Sequence, residues 1–133
     1  MDEDEEINAD FRLYETNIIM HSAEAGITGV AVEQKGQAII APYGQSDKRF
    51  SQDVDNYMNI GEIYNIVVGP LVDIKGNIRG VIHLVNKEDS NGNTQITDDD
   101  RKEINGLLPI LGEIIRTADE ASEISEMSCC KNL

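Results

Sequence analysis

At 133 residues, with 40% apolar side chains, no tryptophan and two cysteines, the chain can fill one aliphatic core and is too short for a second. Its 25 acidic against 11 basic residues leave a net charge of -14, which repels phosphate backbones and anionic headgroups and so excludes nucleic acid and membrane surfaces as expected partners. No apolar run reaches the roughly 18 residues of a membrane span, and MDEDEEINAD is the opposite of a basic, apolar leader, so a cytoplasmic protein is expected.

Residues 1–10 read as an acidic disordered arm with little to bury, followed by a single domain over 11–124. Within it, FRLYETNIIMHS mixes alternating and continuous β-favouring residues and reads as one or two strands, broken near Glu15 to Asn17. GITGVAVEQKGQ places Ile27, Val30 and Ala31 at the spacing of a short helix, with Gly36 as its stop. AIIAP is a brief strand. YGQSDKRFSQDVDNYMNIGEIY is a long polar connection with room for one or two short helices, and such connections often build binding sites.

NIVVGPLVD and IRGVIHLVNK, joined through IKGN, form the clearest pattern in the chain, a β-hairpin. Its nearly unbroken Ile, Val and Leu content predicts a central pair covered on both faces. Pro70 lacks the N–H a ladder needs, so a bulge or an edge-like break is expected there. After EDSNGNTQ, Thr97 caps a helix whose first turn holds Asp98, Asp99 and Asp100 at the positive end of the dipole. Ile104, Leu107, Leu108, Leu111, Ile114, Ile115 and Ala118 give that helix one apolar stripe, ending near Ala121, with a kink expected between Asn105 and Pro109. Residues 125–133 read as a flexible tail. Its Cys129 and Cys130 are adjacent and expected to stay reduced, and the terminal CKNL is a poor match to a prenylation signal because Lys131 and Asn132 stand where aliphatic residues belong.

From Met20 to Ile115 this ordered series resembles a GAF domain, in particular those of cyclic-nucleotide phosphodiesterases and related cyclases. GITGVAVEQKGQAIIAP looks like the family's helix and short strand, SDKRFSQDVD like its pocket loop, and ITDDD like the start of its closing helix. The family's Asn-Lys-Phe-Asp-Glu signature is partly present. Asn86, Lys87 and Asp100 match, whereas Ile96 and Arg101 stand where Phe and Glu are usual. The resemblance implies an α+β fold with a central antiparallel sheet and helices on both sides, here without the family's N-terminal helix and first strand. It also implies a structural salt bridge from Lys87 to Asp100.

The resemblance further implies a pocket for a small ligand, cGMP or cAMP in cyclic-nucleotide members. Carried over by position, Ile27 and Thr28 fall at the helix start, Asp55 matches a loop Asp, Ser51 stands where some members have Tyr, and His83 replaces a strand Glu. Glu62, near the family's threonine positions, would repel a phosphate beside the ligand. His83 between apolar neighbours reads equally as a buried, satisfied histidine, and His21 is similar.

No His, Cys, Asp or Glu set has metal-ligand spacing, and the aspartate run lacks the glycine and distal Glu of a calcium loop. Ser22, Ser46 and Ser51 have no base at motif spacing, and no cysteine falls near the pocket for redox or bilin chemistry. A non-catalytic module from a phosphodiesterase-like signalling protein is therefore expected, without a cofactor. It is either a small-molecule sensor or a ligand-free dimerisation module whose sheet edge and long last helix suit a homodimer.

Overall fold

The computed structural model describes residues 25–131, with side chains as far as 123. The acidic arm, the strands expected in 11–22 and His21 lie outside the described residues, as do the side chains of Cys129 and Cys130.

Helix α1 (Gly26–Gln34) leads to strand β1 (Ile39–Ala41), a 3-10 turn at Gly44–Ser46 and the one-turn helix α2 (Gln52–Asp55). Strands β2 (Ile66–Val72) and β3 (Ile78–Val85) follow, and α3 (Asp98–Lys131) closes the fold. The three strands form one antiparallel sheet in the order β1-β2-β3. This is the expected α+β class, with the brief strand, the short helices of the long connection and the hairpin all in place. Among the described residues, no helix is long and apolar enough to cross a membrane.

β2 is the middle strand, and its period of two divides the core. Ile66 and Val68 pack against Ile27 and Ala31 of α1, with Ala41 and Ile63 completing a fully buried cluster. Val67 and Leu71 point the other way, against Leu108 of α3. The uninterrupted apolar run of β2 thus has a helix over each face. Gly69 lies on the α3 side, where a Cβ would overlap Leu108 Cδ2, so the missing side chain sets how closely α3 approaches the sheet.

Several expectations are corrected in detail. α1 ends not at Gly36 but at Lys35, which takes the left-handed conformation (φ 51) while its N–H bonds Ala31 O at 3.1 Å. Pro70 pairs with Val81 without a break at that residue, and the irregularity falls between Leu71 and Val72. β1 pairs only with Ile66 to Val68, so Pro70 lies where that side of β2 has no ladder to interrupt. The hairpin closes on Asp73, whose Oδ1 accepts the Lys75 and Asn77 N–H groups at 2.9 Å. The same D-x-x-G-N pattern recurs at Asp89–Asn93, where Asp89 Oδ1 accepts from Asn91 and Asn93. Both are Asx turns built from one local rule.

α3 runs unbroken through Pro109 and continues to Lys131, past the expected end at Ala121 and through most of the segment taken as a tail. Its single apolar stripe is in fact two. Ile104, Leu108, Leu111 and Ile115 pack on the sheet, whereas Leu107, Ile110 and Ile114 face outward and are 53%, 55% and 58% exposed.

Candidate functional site

A cavity of about 720 Å³ lies between α1, the segment after α2 and strand β3. Its wall is mostly aliphatic, from Val32, Met58, Ile60, Ile63, Val81 and Val85, with Thr28, Asp55, Asn56, Tyr57, Arg79 and His83 as polar members. That volume lies within the range of small-molecule sites.

The polar wall is organised around Asp55, which is 2% exposed. α2 ends at this residue and turns its carboxylate onto the first turn of α1. Oδ2 accepts the Ile27 and Ser51 N–H groups at 2.9 Å each, and Oδ1 accepts the Thr28 N–H at 3.0 Å and the Thr28 hydroxyl at 2.7 Å. A buried carboxylate survives only when its oxygens are satisfied, and the amides at a helix start are the strongest neutral donors for it. Gly26 makes this seat available. At φ +74 it turns the chain into α1, and a Cβ there would lie 2.6 Å from Asp55 Oδ2.

Thr28 carries the network on to β3. Its hydroxyl lies 2.8 Å from His83 Nε2. His83 pairs with Val68 across the hairpin, which puts its ring on the same sheet face as Ile66, Val68 and α1. Burial pushes its imidazole below the ordinary range, against a weaker opposing pull from the Asp55 carboxylate.

Thr28, Asp55 and His83, chosen from the sequence as ligand residues, are therefore joined in one hydrogen-bonded chain at the cavity wall. Ile27 and Ser51 are not in that wall. Ile27 is a core side chain at 0% exposure, and the backbone N–H of each is donated to Asp55. Glu62 also lies outside the cavity wall, with its carbonyl bonded by Asn86 Nδ2 at 2.9 Å. Arg79 lines the cavity without having been singled out. Its guanidinium is held by Asp73 at 2.8 Å and faces Asp119 at 3.6 Å. Alternation makes Val81 and His83 neighbours on one face but does not extend to Arg79, which stands at the irregularity opposite Leu71 and Val72 and reaches Asp73 and Asp119.

A second cluster joins the end of β3 to the start of α3. Lys87 Nζ pairs with Asp100 Oδ2 and donates to Gln95 O at 2.8 Å. The same Asp100 oxygen accepts the Thr97 N–H at 2.8 Å, while Thr97 Oγ1 accepts the Asp100 N–H, so one carboxylate serves both helix cap and strand end. Lys87 and the Thr97 amide hold the Asp100 carboxyl below its usual range. Asn86 ends the strand at φ 57, with its side chain bonded to Tyr64 N and Glu62 O. Asn65, buried beside it, fixes Lys87 through both backbone groups and also reaches Thr94 O. These groups hold elements together.

No group of three or more potential metal-ligating His, Cys, Asp or Glu side chains occurs among the described residues. Compared with protein-family models and with curated proteins, the chain matches none.

Proposed function

We propose that this chain is a non-catalytic, small-molecule-sensing regulatory module of the GAF type, with the cavity above α1 and β3 as its binding site. The observation that carries this reading is the Asp55–Thr28–His83 chain, which ties the segment over the cavity to both the helix and the sheet that form its floor. A ligand seated there bears on three elements at once, which is what coupling occupancy to conformation requires. The Lys87–Asp100 pair keeps β3 in register with α3, a helix long enough to carry a signal away from the site.

A cyclic nucleotide is the ligand class the resemblance brings, and the geometry supports it less well. The α1 amides that would receive its phosphate already serve Asp55. Thermal denaturation with cAMP, cGMP, nucleosides and uncharged heterocycles tests the reading. A true ligand at 100 times its Kd adds roughly 2.7 kcal/mol of stability.

A second reading, a dimerisation module that needs no ligand, is favoured by the outer face of α3. Leu107, Ile110, Ile114, Thr117 and Ala121 follow one another at alternating steps of three and four, the spacing with which one helix packs against a copy of itself. Ile74, 77% exposed at the hairpin tip, extends the same patch. A dimer in light scattering, combined with no stabilisation by any compound in the panel, overturns the sensing reading in favour of this one.

A further inference from the structure

Whatever occupies the cavity must satisfy the polar atoms that the protein leaves unused there. A carboxylate offers about four lone-pair sites, and Asp55 has four donors on its two oxygens. It therefore has nothing further to offer a cationic ligand. Asn56 uses one Nδ2 hydrogen on Gly61 O and accepts from Ile60 N at Oδ1, both at 3.0 Å, and it carries no charge to offer a ligand. The Arg79 charge is spent on Asp73 and Asp119. An anionic ligand would meet no uncommitted cation among these groups, and the amides of the α1 start are occupied.

The state of His83 follows from the network. The Thr28 hydroxyl has one hydrogen, which it donates to Asp55 Oδ1, so toward His83 its oxygen is an acceptor. His83 Nε2 must then carry a proton. Burial disfavours a second proton on the ring, which leaves Nδ1 as a bare acceptor. No unsatisfied side-chain nitrogen or oxygen is sealed in the described interior, and His83 has no further hydrogen bond there, so Nδ1 opens to the space the ring lines.

We infer that the cavity takes an uncharged, mainly apolar or aromatic molecule that donates an N–H or O–H hydrogen bond to Nδ1 of His83. This rests on the sensing reading above and narrows it to a ligand class. The charged groups that share the cavity wall with the imidazole are Asp55 on α2, whose carboxylate is held by neutral donors and opposes the downward push of burial on the ring, and Arg79 on its own strand, which is paired with Asp73.

The 133-residue chain carrying His21→Gln and labelled with 15N-histidine gives one imidazole to follow by long-range nitrogen–proton correlation near neutral pH, with indole, 1-methylindole, indole-3-acetate and cAMP as probes. The expected result is an Nε2-protonated ring whose Nδ1 resonance moves on adding indole. 1-Methylindole, which lacks the N–H, should bind about tenfold more weakly, the worth of one hydrogen bond, and the anionic probes more weakly still. His83→Phe keeps an aromatic ring and should cut indole affinity by a similar factor. If that variant does not fold, the tautomer and the probe series on the His21→Gln protein decide. An Nδ1-protonated ring overturns the inference, as does tighter binding of indole-3-acetate or cAMP than of indole, although sensing then still stands. Failure of all four probes removes the inference, and the sensing reading falls only if the broader thermal panel fails as well.

Discussion

Asp55 and Lys87 show how one side chain can decide a local structure. Asp55 collects donors from α1 and from Ser51, so Asp55→Ala leaves buried N–H groups without an acceptor and frees the segment above the cavity. The expected loss is at least about 3 kcal/mol, since each stranded donor costs roughly 1–3 kcal/mol. A urea titration measures it, and a loss under about 1 kcal/mol would mean that Asp55 is not the lock described here. Lys87→Met tests the other site through pH. The Asp100 carboxyl is depressed in the folded state, first by Lys87 and then by the Thr97 amide. It therefore contributes stability that is present above the unfolded value near 3.9 and is lost as pH falls through the folded one. The variant should be less stable at pH 7, lose less on acidification below about pH 4, and keep its affinity for any ligand of the cavity. Identical acid titrations of the two proteins would show that the pair contributes nothing.

At the scale of elements, the sheet and α3 are matched through an absent side chain. Gly69→Ala puts a methyl group into Leu108, and the helix must shift or Leu108 must leave its rotamer, at a cost of about 1–3 kcal/mol. Adding Leu108→Ala should recover part of that loss, because the cavity it opens receives the new methyl. Strict additivity of the two changes in chemical denaturation would place the clash elsewhere. Much of this level was legible in the sequence. The hairpin, the Thr97 cap and the acidic first turn follow from local chemistry that needs no distant partner. The stop of α1 at Lys35, one residue before the Gly36 that the local rule favours, and the displaced irregularity beside Pro70 were not legible, because packing overrides local preference at both places.

For the whole molecule, the outer face of α3 is the feature that bears on assembly. Ile110→Glu with Ile114→Glu should abolish any dimer in light scattering, because a glutamate pair on each helix would face its copy across the interface. Both positions are more than half exposed, so the monomer's stability should change by no more than about 0.5 kcal/mol per site. A dimer that survives the double change assembles through another surface.

Composition and period by themselves determined the α+β class, the aliphatic core and the order of the described elements, because apolar alternation, caps and turns act over a few residues. The apolar stripe of α3 could be drawn from sequence, but its division into a packed row and an outward row could not. The helix presents both at similar spacing, and only the position of the sheet determines which is buried. The cavity is a stronger case of the same limit. Thr28, Asp55 and His83 lie far apart along the chain, and their single hydrogen-bonded line exists only where α1, α2 and β3 converge. That convergence also turned the helix-start amides from a seat for a phosphate into the anchor of a carboxylate, since a donor already satisfied within the fold has little left to offer a ligand.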